Sequence, residues 1–306
     1  MRKILVATVK PFAPKAIKEM KEIADSKGYE LELLEKYQNP EELKKALSSA
    51  DALIVRSDKI NKEILEAAPS LKVIARAGAG YDNIDLDTAT KKKMVVMNTP
   101  GQNANAVAEL VLGMMVYMNR NKFDGTPGTE LKGKSLGIHA YGNVGKNVAR
   151  IAKGFGMNVM AHDPFVSSEI VERDGIKDIE ERDDLYKQSQ YVSLHIPANK
   201  NTIKSIGYDL LKKMPENAVL INTARKEVID EDGLLKLMEE RPDFKYISDI
   251  SPDQKEVFEE KFPDRVFFTP KKMGAQTAEA NINAGKAAVK QIIDFFENGN
   301  TTYKVN

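Results

Sequence analysis

Cysteine is absent from the 306-residue sequence, which excludes disulfides and thiol chemistry and suits a reducing compartment. Charge of one sign is lacking too. Lys and Arg number 46 and Asp and Glu 45, so net charge gives no reason to expect nucleic acid or an anionic membrane as a partner. No apolar run is long enough to span a bilayer, and the longest, over 107–118, is broken by Glu109. The apolar run at the N-terminus stops at Lys10, without a signal-peptide core or cleavage site. Repeats and low-complexity tracts are missing. These absences predict a soluble, cytoplasmic protein. Hydrophobic residues make up 42%, enough for substantial cores, and the length predicts two domains.

Strand-like and helix-like segments alternate almost throughout, which predicts a parallel α/β architecture. Strands are expected over 4–8, 29–34, 52–55, 72–75 and 94–97. The helices between them include one opened by Pro14 and stopped by Gly28, one from Pro40, and a short one over 61–67. Residues 98–101, Asn-Thr-Pro-Gly, mark a boundary, and a long helix over 104–119 crosses to a linker at 124–128. Further strands are expected over 136–140, 158–162, 191–196, 218–222, 246–250 and 266–269. A last helix over 278–296, closed by Gly299, is placed to return to the first domain. The expectation is one discontinuous domain, 1–97 plus 277–306, and a second over 98–276, with a ligand-binding cleft between them.

The stretch from Leu136 carries the sharpest signal. A buried strand runs into Ala140-Tyr141-Gly142-Asn143-Val144-Gly145, then into a helix with Val148, Ile151 and Ala152 on one face. A second strand ends in Asp163. Strand, glycine-rich turn, helix, strand and acid form the dinucleotide-binding fingerprint, with Ala140 where its first glycine stands. The turn and the helix N-terminus attract a pyrophosphate. Asp163 is placed to accept hydrogen bonds from the adenosine ribose hydroxyls, which argues for NAD over NADP. Arg225 follows a strand end in Leu-Ile-Asn-Thr-Ala-Arg, where side chains of such sheets meet ligands.

Several segments occur in order around this fingerprint: Gly78-Ala79-Gly80-Tyr81-Asp82, the Asn98–Asn103 stretch with Glu109, Leu194-His195-Ile196-Pro197, the run to Arg225, and Thr269-Pro270. As a set they resemble the D-isomer-specific 2-hydroxyacid dehydrogenases from end to end. The resemblance implies two doubly wound parallel-sheet domains, a Rossmann nucleotide-binding domain inserted in a flavodoxin-like substrate domain. It also implies NAD as cofactor, a homodimer and no metal. Carried over by position, Arg225 binds and polarises the substrate, and the backbone N–H groups of Ala79 and Gly80 cradle its carboxylate beside Asn103. Along the cofactor fall Gly142, Asn143, Val144, Gly145 and Asp163. His195, Pro197, Thr202, Thr223, Ala224, Asp249 and Gly274 complete that set, Asp249 holding the nicotinamide amide.

Three positions depart from the family. Where it has a histidine after Thr-Pro, this chain has Thr269-Pro270-Lys271-Lys272-Met273-Gly274, one residue longer. Counting back from Gly274 puts Lys272 in the histidine's place, and counting forward from Pro270 puts Lys271 there; Lys272 is preferred. The family's partner glutamate has no clear match, since counting from Asp249 reaches Gln254, next to Asp253. Lys226 stands where a glycine is usual. The first two departures fit together, because a lysine stays protonated at neutral pH without a carboxylate partner, whereas a histidine needs one.

The Lys-Lys-Met-Gly stretch and the length resemble the short D-3-phosphoglycerate dehydrogenases, which lack the regulatory domain and carry lysine for histidine. Arg56-Ser57 closes a strand where that branch meets the substrate phosphate, and Lys10 and Lys59 follow strand ends nearby. The expected function is therefore NAD-dependent oxidation of 3-phospho-D-glycerate. A hydroxypyruvate or glyoxylate reductase is the second reading, and a non-catalytic NAD-sensing binding protein the third.

Overall fold

The computed structural model describes residues 1–306, in two units: Met1–Asn103 with Gln276–Asn306, and Ala104–Ala275. The first unit begins β1 (Lys3–Thr8), α1 (Pro14–Asp25), β2 (Glu30–Glu35), α2 (Pro40–Leu47) and β3 (Ala52–Val55). It continues α3 (Lys62–Glu66), β4 (Val73–Arg76), α4 (Leu86–Lys91) and β5 (Val95–Asn98). Its five strands lie in the order β2-β1-β3-β4-β5, all parallel, the flavodoxin-like arrangement. Every residue of β3 and nearly all of β1 is buried, as expected for strands covered on both faces. The helices start where short polar side chains cap them. Asn39 accepts from the N–H groups of Glu41 and Glu42 ahead of Pro40, and Asp85 accepts from Thr88 N at 2.9 Å.

The second unit runs α5 (Ala104–Asn119), β6 (Ser135–His139), α6 (Asn143–Gly154), β7 (Asn158–His162), α7 (Ser168–Arg173), β8 (Lys177–Asp178), α8 (Arg182–Gln188) and β9 (Tyr191–Leu194). It ends with α9 (Tyr208–Leu211), β10 (Val219–Asn222), α10 (Glu231–Glu240), β11 (Lys245–Ser248), α11 (Lys255–Lys261) and β12 (Val266–Phe268). The seven parallel strands lie in the order β12-β11-β10-β9-β6-β7-β8. The order reverses between β6 and β9, the point where such sheets bind dinucleotides. Alternate residues feed two cores. Leu136, Tyr191, Val219 and Ile221 face α5 and α6, while Val192, Leu194 and Leu220 face the side of Leu185, Leu210 and Leu234.

The last helix, α12 (Ala278–Asn298), belongs to the first unit, where Ala284, Ala288, Val289 and Ile292 pack against Ile4, Val6, Ile54 and Ala75. Gly299, at φ 68°, ends it in the left-handed conformation. Residues 301–306 then run beside β5, with Val305 N donating to Val96 O at 2.9 Å. The two doubly wound parallel sheets are those expected. The differences are local: β9 ends at Leu194 rather than 196, β11 at Ser248 rather than 250, α12 continues to Asn298, and α4, α7, α8, α9, α10, α11 and β8 lie outside the expected elements. No helix is long and apolar enough to cross a membrane.

Candidate active site

In the second unit the fingerprint turn leaves β6 through Ala140, whose φ is +84°. An L-residue there costs about 1–2 kcal/mol, which a glycine avoids. Gly145 is needed for close packing, because a Cβ on it would sit 2.3 Å from Ala140 O. A Cβ on Gly142 would meet nothing within 4 Å, so the turn is open on that side. Gly142 caps α6 without a side chain, leaving the first-turn N–H groups of Asn143, Val144 and Gly145 for an anion. Asp163 directly follows β7 and ties the turn down: its Oδ2 accepts from Tyr141 N at 2.8 Å and its Oδ1 from Phe165 N at 2.9 Å. Each oxygen keeps a lone pair for a further donor.

His195 follows β9, with Nε2 3.0 Å from the buried Ser193 Oγ. Burial pushes its pKa down to about 3, so its ring is neutral at pH 7 and is a poor proton donor there. Thr202 closes the next turn onto Pro197 O. At the end of β10, Thr223 Oγ1 is buried without a hydrogen-bond partner. An open glycine turn, uncapped helix amides and an orphaned hydroxyl at the carboxyl end of one sheet fit a dinucleotide.

Arg225 is aimed by Asn222, a fully buried residue that sequence reading did not single out. Asn222 Oδ1 accepts from Ala224 N and its Nδ2 donates to Arg225 O, both at 2.9 Å. The half-buried Arg225 guanidinium donates to Ala224 O at 2.8 Å and keeps its other donors. Asp249 is 1% exposed, and its carboxylate is occupied within the chain. Oδ1 accepts from Thr269 Oγ1 and Met273 N, and Oδ2 from Gly274 N at 2.8 Å. A Cβ on Gly274 would be 3.0 Å from that oxygen. Asp249 thus anchors the turn carrying Lys271 and Lys272, both exposed, and its Oδ2 keeps a lone pair for a further donor.

The two candidates for the missing glutamate are engaged elsewhere. Asp253 pairs with Lys226 at 2.5 Å, and Gln254 Nε2 donates to Asp232 at 2.7 Å. Glu231 accepts from the backbone N–H groups of Asp253 and Gln254 at 2.9 and 2.8 Å. Two of the three departures from the family, at Lys226 and at 253, therefore answer each other.

In the first unit the expected basic residues lie at the carboxyl edge of the sheet, after β1 and β3. Lys10, Ser57 and Lys59 are exposed. Arg56 is turned inward: it donates to Lys10 O, Pro11 O and Asn281 Oδ1 and lies over the Phe12 ring, so its engaged donors tie the β1–α1 loop to the start of the last helix. The guanidinium nearest the glycine cradle belongs instead to Arg76, the last residue of β4. A Cβ on Gly78 would lie 1.5 Å from Arg76 Nη1. Gly78 has φ +147°, and its N–H is held by Thr99 Oγ1 at 2.6 Å. The next two amides, Ala79 and Gly80, donate to no other group of the chain. Asn103 is half-buried just ahead of α5. Arg76 occupies the strand-end position that singled out Arg225, and that signal would have found it.

Comparison with known proteins agrees with these features. A model of the D-isomer specific 2-hydroxyacid dehydrogenase catalytic domain matches residues 4–306. The D-3-phosphoglycerate dehydrogenase of Methanocaldococcus jannaschii is 36% identical over 274 residues, covering 82% of this chain and 51% of that protein. The chain therefore spans about half the length of this relative. The hydroxypyruvate reductase of Thermotoga maritima is 35% identical over 281 residues, 86% of this chain and 90% of the relative. A crystal structure of NAD+-bound 3-phosphoglycerate dehydrogenase from Entamoeba histolytica superposes with a TM-score of 0.88 at 48% identity, covering 100% of this chain and 98% of that one. The chain belongs to the D-isomer specific 2-hydroxyacid dehydrogenase family.

Proposed function

We propose that this chain oxidises 3-phospho-D-glycerate to 3-phosphohydroxypyruvate with NAD, the entry to the phosphorylated route to serine. The observation that carries the reading is the basic edge of the first unit. There Arg76 lies against Gly78 beside the open amides of Ala79 and Gly80, with Lys10, Ser57 and Lys59 exposed on the same edge. A substrate with a carboxylate and a phosphate suits a set that offers several cations and backbone donors. The 48% identity to a structure described as an NAD+-bound 3-phosphoglycerate dehydrogenase supports the same reading. A cytoplasmic homodimer is part of it.

When bound, the dinucleotide supplies the hydride acceptor for C2 of the substrate. The α6 amides and Gly142 receive its pyrophosphate, and Asp163 takes its ribose hydroxyls and disfavours a 2′-phosphate. Arg225 grips the carboxylate and polarises the C2 oxygen as the carbonyl forms. Lys272 Nζ takes the hydroxyl proton, and returns it in the reverse direction.

The test is a comparison of kcat/KM for 3-phosphoglycerate and for glycerate lacking the phosphate. One or two charge-assisted contacts predict a preference for the phosphorylated acid of about tenfold or more. Equal values, or a preference for hydroxypyruvate, would favour the reductase reading. That reading draws support from the Thermotoga maritima relative and from the inward-turned Arg56. NAD binding without turnover of any of these acids would leave a binding protein.

A further inference from the structure

The second unit gathers three lysines at the amino-terminal edge of its sheet, opposite the fingerprint turn. Lys134 immediately precedes β6 and Lys245 opens β11. Tyr191 opens β9 in register with Val219, which is in register with Lys245, so the three form one row on one face. That is the face covered by α5 and α6. The last residue of α5, Asn119, accepts from Tyr191 Oη at 2.9 Å, and Lys134 Nζ lies 3.0 Å from Thr129 Oγ1 and 3.5 Å from Tyr191 Oη. Lys122 is delivered by an unusual turn. Asn121, Lys122 and Phe123 all take left-handed φ values, 48°, 55° and 62°. Such non-glycine residues cost roughly 1 kcal/mol or more each. The turn brings Lys122 Nζ to Pro263 O.

What this cluster lacks is a counter-charge. The three lysines are only partly exposed, and none forms an ion pair. Burial, and then the neighbouring lysine, lowers the pKa of both Lys134 and Lys245. Asn119 is 5% exposed, and its Nδ2 is buried with no hydrogen-bond partner. The negative end of α5 offsets only about half a charge. Partly buried cations are normally paired, and here every unmatched group is a donor.

We propose that Lys134 and Lys245, with Lys122 beside them, bind a small dianion of the phosphate class. The site is at the opposite edge of the sheet from the dinucleotide turn and does not depend on the dehydrogenase reading. Tungstate, a phosphate-shaped dianion located by its anomalous scattering, can be soaked into crystals of the full chain. Thermal unfolding can be followed in parallel against inorganic phosphate, with ionic strength held constant by sodium chloride. The expected results are a tungstate peak bridging Lys134 and Lys245, and a Lys245→Met variant that melts about 2–4 °C higher than the parent without phosphate, because one repelling charge is gone. The same variant should gain less from added phosphate. Absence of a peak at this position, or an undiminished phosphate response in both Lys134→Met and Lys245→Met, overturns the proposal. So does a Lys245→Met variant altered only in self-association, since the counter-charge would then be a carboxylate of a second copy.

Discussion

Lys271 and Lys272 stand side by side on one exposed turn, and the proposed chemistry needs only one of them. A lysine carries its proton through the neutral range unaided, which suits a chain whose Asp253 and Gln254 are turned toward Lys226 and Asp232. Reduction needs the ammonium form and oxidation the neutral amine. The oxidative rate should therefore climb into alkaline pH, further than a histidine would require. Lys272→Ala should lower kcat/KM by about 10²–10⁴ in both directions, the usual worth of a positioned acid or base. Lys271→Ala should cost little, and Lys272→His should restore part of the activity while moving the oxidative limb to lower pH. Paired pH–rate profiles decide it. An inactive Lys271→Ala variant would move the assignment by one residue, and indifference to both would remove lysine from the proton transfer.

Among the elements, the turn after β12 depends most on a single side chain. Asp249 gives it three hydrogen bonds from a site with almost no water. Asp249→Asn keeps the shape but turns an NH2 group toward donors. It should destabilise the chain by roughly 1–3 kcal/mol and speed hydrogen exchange over residues 269–276. Asp253→Asn, which breaks a well-exposed pair, should leave stability nearly unchanged. Unchanged exchange in Asp249→Asn would mean that the turn holds itself. This contrast marks the limit of sequence reading. The β6–α6–β7 unit is legible because its hydrophobic period switches from strand to helix across a glycine turn and returns at an acid. The α4, α9 and α11 helices, 4–7 residues long, are too short to display a period, and β8 has two residues. Glu231 acts on the backbone of Asp253 and Gln254, brought near only by folding, so no local pattern announces it, whereas Asn222 acts on Ala224 and Arg225 just ahead of it, a local turn of the kind asparagine favours. The family resemblance located Asp249 but not its three partners.

Across the whole molecule, titration is unevenly distributed. All three histidines, His139, His162 and His195, lie in the second unit. Burial, as the largest cause, pushes the pKa of both His139 and His195 down to about 3, against about 6.5 in an unfolded chain. Between those values the unfolded state binds more protons. The stabilisation is therefore complete above pH 6.5 and is lost as the pH falls toward 3. The first unit has no histidine, and a carboxylate such as Asp85, held low by its bonds to Thr88, is lost only in stronger acid. At pH 5, hydrogen exchange should quicken in peptides from 104–275 before those from 1–103; uniform loosening would contradict this. The split of the first unit has a different consequence, for synthesis. Ile4, Val6, Ile54 and Val73 emerge from the ribosome early, yet their cover of Ala284, Ala288 and Ile292 is made last. The part of the chain begun first is finished last, while the second unit has all its strands by residue 268. Nascent chains carrying residues 1–275 followed by a linker long enough to fill the exit tunnel should resist protease over the second unit and be cut within the first. Equal resistance of both would mean that the early sheet closes without its final helix.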